Sequence, residues 1–374
     1  MRTLLLAPAL FASEGGIERM MRLYLKGLCE LGPAGSVTVA ALNDGSIADP
    51  RFSTYATAAL RHRIAGRRRR WRFALQVLTQ ARSVDRIVCG HLHLWPLVRL
   101  AQRLNPQLHA ALVAHGMEAW RPWSRQEQQA MASGRVWAVS RYTRERILDR
   151  CPALPPDRVT LLPNALDPTL ARVSAAPVQP GRLVTLARLS RSDRYKGIDH
   201  LIRALPLVRA TVPEAHLRVI GDGDDRADLE ALAQETIAGG VSFAGFVPDS
   251  DLPRELAQAQ LFALPSRDEG FGLAYLEALA AGKPCVAARS GGTPDVITPE
   301  VGQLVPYGDI PALAAALTAT LRRPWDVARL RAQAEAFSYS TFRDRLGRAL
   351  AALPGRNPRT ETISPEAGAE VIRP

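Results

Sequence analysis

The 374-residue sequence has little cysteine, few aromatic residues and no long apolar run, and each shortage excludes a class of protein. Its four cysteines stand at least 60 positions apart, which argues against a zinc ribbon or a disulfide scaffold and fits reduced, cytosolic thiols. No apolar run approaches the roughly 18 residues that a membrane-spanning helix needs. The rest of the composition is that of a globular protein, and at roughly 150 residues per domain the length predicts two domains.

The first residues of the chain carry one early positive charge, an apolar stretch and small side chains, so they resemble a secretory signal peptide. The alternative is a buried first strand that runs into a loop at Gly15 and Gly16. We favour the strand, because the apolar core is short and is interrupted by Pro8. On this interpretation the protein is expected to be cytoplasmic.

Acidic residues are scarce in the first half of the chain. Residues 1–180 carry a net charge of +13, whereas residues 181–374 carry a net charge of −1. Seven arginines stand between Arg61 and Arg72, a density that predicts a phosphate-bearing partner, either nucleic acid or an anionic membrane surface. We expect no nucleic acid, since the aromatic residues beside these arginines are limited to Trp71 and Phe73.

Short apolar runs alternate with amphipathic stretches along nearly the whole chain, which predicts two doubly wound α/β domains in tandem. A boundary near residue 178 gives domains over residues 1–178 and 179–335, and residues 354–374 are expected to form a mobile tail. An apolar stripe of helical period predicts a helix over residues 17–31. Strands are expected over residues 3–9, 37–42, 86–90, 110–114, 136–139, 183–186, 217–220, 241–244, 261–264 and 285–288.

The strongest local motif runs from a strand end near residue 264 into a helix that begins near Phe271. Backbone N–H groups of residues Gly270, Phe271, Gly272 and Leu273 are predicted at the helix N-terminus, which suits a phosphate or a sugar hydroxyl.

Two carboxylates accompany this motif, one in the loop and one in the helix. Glu269 and Glu277 are each suited to accept hydrogen bonds from sugar hydroxyls, one set on a hexose and one on a ribose. The alternative is that Glu269 caps the helix and Glu277 is an exposed helical charge.

Three further loops follow predicted strands. Arg188 and Lys196 lie after the first strand of the second half, where they can meet a diphosphate or can simply belong to a solvated basic loop. Gly15 and Gly16 allow close approach of a phosphate to a helix N-terminus. His115 ends a strand and is placed either to contact substrate or to make a structural hydrogen bond.

Two patterns imitate metal sites. Asp222 and Asp224 match a metal-holding carboxylate pair, but they stand in a glycine-rich turn after a strand. His91 and His93 would point in opposite directions on a strand, which argues against a shared metal. No metal ligand is therefore predicted.

Together these motifs resemble the retaining nucleotide-sugar glycosyltransferases of family four, whose GT-B fold has two Rossmann-like domains facing each other across a cleft. The resemblance covers residues 1–352, and its most specific part is the E-x7-E element from Glu269 to Glu277. The chain departs from the family in having Ala165 after Asn164, where glycine is usual, and in a longer loop before Lys196. A helix over residues 336–353 is expected to return to the N-terminal domain.

The resemblance implies how the donor is held. Arg188 and Lys196 would bind its diphosphate, with Gly15 and Gly16 approaching from the opposite domain, and the backbone of Val247 would lie near the nucleobase.

The resemblance also implies roles for the acidic residues and the histidine. Glu277 would bind the ribose hydroxyls, Glu269 the transferred hexose, and His115 the hexose near the reacting carbon.

The expected activity is transfer of a hexose, with retention, from GDP-mannose or a UDP-hexose to a glycan or lipid-linked acceptor. No cofactor or metal is expected, because the cations that neutralise the diphosphate belong to the protein. One alternative is a nucleotide-sugar epimerase on the same fold, which needs no acceptor. Another is a basic nucleic-acid-binding protein, which leaves the motif from Glu269 to Glu277 unexplained.

Overall fold

The structure is a computed structural model that describes residues 1–45, 50–67, 69–132, 134–170 and 176–353. Three sequence predictions fall on residues outside these ranges. They are Arg68 of the arginine stretch, part of the segment before the boundary near residue 178, and the tail over residues 354–374.

The N-terminal half is built on a parallel sheet of order β3-β2-β1-β4-β5-β6-β7 among the described residues. Its central strands are buried on both faces, as expected for a parallel sheet covered by helices. The strands are β1 Thr3–Ala7, β2 Val37–Ala41, β3 Leu60–Ala65, β4 Arg86–Cys89, β5 His109–Ala114, β6 Arg135–Ala138 and β7 Val159–Leu161.

The C-terminal half repeats this arrangement in a second parallel sheet of order β10-β9-β8-β11-β12-β13. Both orders reverse direction between the first and fourth strands, which is the Rossmann-like pattern. The strands are β8 Arg182–Leu186, β9 His216–Ile220, β10 Val241–Gly245, β11 Leu261–Leu264, β12 Cys285–Ala288 and β13 Gly302–Val305.

Helices connect the strands and cover both sheets. In the first half they are α1 Gly16–Leu31, α2 Phe52–Tyr55, α3 Arg70–Ala81, α4 Trp95–Leu104, α5 Met117–Trp120, α6 Arg125–Ala132 and α7 Arg141–Arg150. In the second half they are α8 Ile198–Arg209, α9 Arg226–Ile237, α10 Leu252–Gln258, α11 Leu273–Ala280, α12 Thr293–Val296, α13 Ile310–Arg322, α14 Val327–Glu335 and α15 Tyr339–Ala351. None of the helices in the described ranges is both long and apolar enough to cross a membrane.

Helix α15 leaves the second half and packs on α1 in the first. The ring of Phe342 meets the ring of Tyr24 edge-on at 5.0 Å, and Tyr24 in turn stacks on Trp137 at 6.1 Å. Tyr339 donates a hydrogen bond to Glu30 at 2.8 Å. The last described helix thus completes the packing around the first one.

The sequence predictions missed β3, β7 and β13. β3 lies at the edge of its sheet and carries Arg61 and Arg63, whose exposure removes the apolar signal that marks a buried strand. Arg61 and Arg63 therefore lie in an edge strand. The guanidinium of Arg63 lies 4.0 Å above the ring of Phe52.

Candidate active site

The site lies where the carboxyl ends of the two sheets face each other. In an open parallel sheet a ligand crevice forms where the strand order reverses, here after β1 and β4 and after β8 and β11. The loops that follow these four strands carry Gly15, His91, Lys196 and Glu269. The two topological switch points therefore bring these four loops to one cleft.

The two halves approach each other closely at a backbone contact at Gly270. A Cβ atom added at Gly270 would stand 2.1 Å from the carbonyl oxygen of His115, and one added at Gly116 would stand 3.0 Å from the Cα of Gly270. Both positions therefore need glycine, since any side chain would push the loops apart. This contact places the loop before α11 directly against the end of β5.

The N-termini of α1 and α11 also face each other across the cleft. A Cβ atom added at Gly16, the first residue of α1, would lie 3.4 Å from a methyl group of Leu273, the first residue of α11. Neither helix start has a side-chain cap, so the first backbone N–H groups are available to a ligand. Two positive helix ends so placed favour an anion between them.

Lys196 and Glu269 form an ion pair within the cleft. Lys196 Nζ donates to Glu269 Oε2 at 2.5 Å, and both side chains are mostly buried. Burial is the largest single effect and acts to lower the pKa of Lys196, but the charge and hydrogen bond of Glu269, together with the charges of Tyr195 and Asp193, outweigh it, and the pKa is raised. The lysine is therefore charged at neutral pH.

Arg188 lies on the same loop but has a different partner. Its Nε donates to Asp193 at 2.5 Å, and the side chain is 73% exposed. The loop forms a short 3₁₀ turn over Arg191–Lys196, which brings Asp193 back beneath Arg188. The longer loop thus keeps Arg188 at the surface of the cleft and Lys196 inside it.

Glu277 is buried, so the alternative of an exposed helical charge is wrong. Its side chain is 5% exposed, and Oε1 accepts a hydrogen bond from Arg19 at 2.7 Å. Its other oxygen, Oε2, is buried and has no hydrogen-bond partner in the described part of the chain. Burial raises the pKa of Glu277 to about 7, against the opposing effect of Arg19. An unpartnered carboxylate oxygen at this depth is costly unless a ligand donates to it.

His115 is buried and neutral. Its Nε2 lies 2.9 Å from the carbonyl oxygen of Gly90, and because a carbonyl only accepts, Nε2 carries the proton. Burial lowers the pKa of His115. Nδ1 is therefore an acceptor and can receive a hydrogen bond from a hydroxyl group.

Phe271 and Val247 occupy different environments. The Phe271 ring is buried against Phe337 at a centroid distance of 5.4 Å, so that only its backbone can face a ligand. Val247 follows β10 and is half-buried against the core, two residues before Asp249.

The two residue pairs that resemble metal sites in the sequence have different geometries in the structure. Asp222 accepts from the backbone N–H of Gly223, while Asp224 accepts from that of Arg191, so the two carboxylates do not converge on a cation. The description of His91 and His93 as opposed on a strand was wrong, because a 3₁₀ turn places their rings 4.7 Å apart. In the described ranges no group of three His, Cys, Asp or Glu side chains is arranged to hold a metal ion.

Comparison with known sequences matches both halves of the chain. Residues 14–170 match the family described as Glycosyltransferase Family 4, and residues 180–323 match the family described as Glycosyl transferases group 1. The chain belongs to the family-four GT-B glycosyltransferases. The predicted resemblance and fold class are thereby confirmed.

Two relatives of this chain are named mannosyltransferases. A GDP-mannose-dependent alpha-(1-6)-phosphatidylinositol monomannoside mannosyltransferase of Mycolicibacterium smegmatis is 36% identical over 50% of this chain and 53% of its own length. The corresponding monoacylated-acceptor enzyme of Corynebacterium glutamicum is 38% identical over 36% of this chain and 37% of its own length. The chain therefore aligns with only about half or less of these relatives.

A solved structure shows the same fold over nearly the whole chain. HepE of Anabaena, in complex with UDP and glucose, superposes with a TM-score of 0.74 over 94% of this chain and 100% of its own, at 20% identity.

Sequence reasoning missed one pair of contributors to the cleft, Arg19 and Asp249. Arg19 bridges Asp249 at 2.6 Å and Glu277 at 2.7 Å. Its position near the start of α1 hinted at the cleft, but no sequence pattern joins it to a carboxylate 258 positions away.

Proposed function

We propose that the protein transfers a hexose from a nucleotide diphosphate sugar to a hydroxyl group of a glycan or lipid-linked acceptor. The observation that carries this proposal is the meeting, in one cleft, of two uncapped helix N-termini, a charged lysine and a buried carboxylate with an unpartnered oxygen. The first two features suit a diphosphate. The last suits a ribose hydroxyl.

Each donor group has a place in this cleft. Lys196 and the N-termini of α1 and α11 bind the diphosphate, with Arg188 reaching it from the rim. Glu277 accepts from the ribose, and the backbone near Val247 adjoins the nucleobase. Glu269 and His115 Nδ1 accept hydrogen bonds from the hexose.

The reaction we propose is substitution on one face of the sugar, so that the anomeric configuration is retained. The bond between the anomeric carbon and the diphosphate oxygen breaks while the acceptor oxygen attacks from the same side. The leaving diphosphate takes the proton of the acceptor hydroxyl. Lys196 and the helix N-termini stabilise the charge that develops on the diphosphate.

The acceptor is proposed to enter through the N-terminal half. A groove of about 590 Å³ opens beside the start of α1 and is lined by Glu18, Arg70, Phe73, His91, His93 and Leu97, among others. It combines an apolar wall with a cation, which suits an amphiphilic acceptor better than a purely polar glycan.

The donor sugar we propose is mannose carried on GDP, because several relatives are named GDP-mannose-dependent enzymes. The test is to incubate the protein with GDP-mannose, UDP-glucose, UDP-galactose and ADP-glucose, with and without lipid-linked glycan, and to measure nucleoside diphosphate release and the transfer product. GDP release with a mannosylated product supports the proposal. Formation of an isomeric nucleotide sugar without acceptor would instead indicate an epimerase.

We predict that activity persists in excess EDTA, because Lys196 and the helix N-termini already neutralise the diphosphate. The assay compares sugar transfer before and after chelation and dialysis. A full loss of activity on chelation, with recovery on adding magnesium or manganese, would contradict the prediction and would indicate that Asp222 and Asp224 bind a metal ion.

We further propose that α3 and the arginines before it attach the protein to an anionic membrane. Trp71 is 67% exposed and Leu75 is 61% exposed, one helical turn apart, whereas Phe73 and Val77 are buried in the core. Only one face of this helix is therefore free to meet the bilayer. Arg67, Arg69, Arg70 and Arg72 are exposed around it. Each basic residue near anionic lipid contributes about 1 kcal/mol.

Vesicle flotation tests this attachment. The wild type is expected to float with anionic liposomes at low salt and to detach as salt rises, whereas replacing residues 67–70 with serine abolishes flotation and leaves donor hydrolysis intact. A matched control replaces four exposed arginines of the second half, Arg322, Arg323, Arg329 and Arg331, with serine and should still float. Equal flotation of the two variants would rule out this surface.

A further inference from the structure

Arg19 of α1 is the side chain by which the first half reaches the predicted ribose site in the second. Its two terminal nitrogens diverge, one donating to Glu277 Oε1 at 2.7 Å and the other to Asp249 Oδ1 at 2.6 Å. The side chain is only 16% exposed. Both bonds join α1 to elements that belong to the other sheet.

The hydrogen bond from Arg19 reaches only one of the two carboxylate oxygens of Glu277. Arg19 holds Oε1, while Oε2 stays buried without a partner. Because Arg19 holds one oxygen and the side chain is buried, the second oxygen has little freedom to turn towards another partner. This oxygen can accept a hydrogen bond from one hydroxyl group of a ligand.

We propose that Arg19 is a positioning residue for the donor: it aims Glu277 at the ribose, and it makes the ribose site complete only when the two halves are closed on each other. This inference rests on the proposed function. It adds that the cation comes from the half that does not carry Glu277, so the ribose site is shared across the cleft.

The charges around Glu277 explain why a cation is needed there. The groups that act on it are Arg19, Asp249 and Asp167, of which only Arg19 is positive, and Glu14 adds a further negative charge near Arg19. Without Arg19, a buried carboxyl group would face other carboxylates. It would hold its proton to a higher pH, and a protonated carboxyl is a poorer acceptor for a ribose hydroxyl.

The chain offers a matched control in a second ion pair across the cleft. The backbone N–H of Arg141 and its Nε bind Asp295 at 2.7 and 2.8 Å, joining α7 to α12. Arg141 is 67% exposed and its contacts do not include Glu277. Removing its side chain therefore weakens an interdomain contact without touching the ribose site.

The experiment measures GDP and 2′,3′-dideoxy-GDP binding by calorimetry between pH 5.5 and 9 for wild type, Arg19→Ala, Arg19→Lys and Arg141→Ala. At pH 7, Arg19→Ala is expected to weaken GDP binding about tenfold or more but to change dideoxy-GDP binding little. GDP affinity should fall as the pH is lowered and Glu277 takes up a proton. In Arg19→Ala this fall should occur at a higher pH than in the wild type. Arg19→Lys should recover much of the affinity, and Arg141→Ala should match wild type with both ligands.

The outcomes separate this inference from the proposed function. Equal weakening of both ligands by Arg19→Ala, or an equal effect of Arg141→Ala, would overturn the positioning role while leaving the donor site in place. Failure of the wild-type protein to bind any nucleoside diphosphate would overturn the proposed function itself. Thermal unfolding of each variant at pH 7 shows that the proteins compared are folded, and Arg19→Lys provides the comparison if alanine is not tolerated.

Discussion

Lys196→Ala is expected to lower kcat/KM for nucleotide-sugar cleavage by about 1000-fold or more. Its ammonium is a mostly buried cation of the cleft, and a charge-assisted hydrogen bond to the diphosphate contributes about 1.5 to 3 kcal/mol to donor binding. Further loss comes from the charge that grows on the leaving diphosphate, since removing one such donor typically costs about 100- to 1000-fold in rate.

Calorimetry with the nucleoside diphosphate and steady-state kinetics measure the two contributions separately. Arg191→Ala is the control, because Arg191 is an exposed cation on the same loop that pairs with Asp228. Unchanged nucleotide affinity in a folded Lys196→Ala protein would disprove the assignment.

Loss of Lys196 also leaves Glu269 without its partner. Glu269→Gln therefore serves as a companion variant that keeps the lysine. We expect it to bind the nucleoside diphosphate normally and to cleave the nucleotide sugar slowly, because the proposed contact of Glu269 is with the hexose. Weak nucleotide binding by this variant would show instead that Glu269 acts by holding Lys196.

Glu277→Gln is expected to weaken donor binding by about 10- to 100-fold while making the ligand-free protein more stable above pH 7. The pKa of Glu277 is raised to about 7, above the ordinary value of 4.5, so the folded protein holds this proton to a higher pH than the unfolded chain does. The contribution of the Glu277 proton to the free energy of unfolding is therefore fully present below pH 4.5 and is lost as the pH rises to 7. At 1.36 kcal/mol per unit, the full loss amounts to about 3 kcal/mol.

Thermal unfolding between pH 4.5 and 8.5 checks this prediction. The variant should match the wild type at the acidic end and should unfold at a higher temperature at the alkaline end. A wild-type stability that does not respond to Glu277→Gln anywhere in this range would contradict the assigned burial. The opposite signs of the two effects, on binding and on stability, distinguish a ligand-binding carboxylate from a structural one.

The sequence predicted the buried architecture well and the solvent-facing details poorly, for physical reasons. Central strands such as β11 appear as short apolar runs because both faces are covered, and the structure confirms residues 261–264. β3 has one edge in solvent and carries arginines, so its pattern resembles that of a loop. Local motifs also identified Glu269 and Glu277, since the loop and helix that hold them are contiguous in sequence.

Contacts between distant segments could not be predicted in this way. The burial of Glu277 depends on α1 and on the loop after β10, and the pairing of Arg188 with Asp193 depends on a 3₁₀ turn that the loop length alone does not specify. Both are set by tertiary packing, on which a single sequence carries no local signal.

The packing of α15 on α1 bears on how the protein is made. The first sheet and α1 leave the ribosome long before residues 339–351, so during synthesis Tyr24 lacks the cover that Phe342 gives it. The hydrogen bond from Leu166 to Phe337, where the chain passes between the two halves, also has to wait for that last segment. Domains generally fold in order as they emerge, but here the first domain to appear is the last to be finished. The nascent chain therefore carries an unfinished apolar surface through most of its own translation, and premature termination anywhere before α15 yields a product that keeps it.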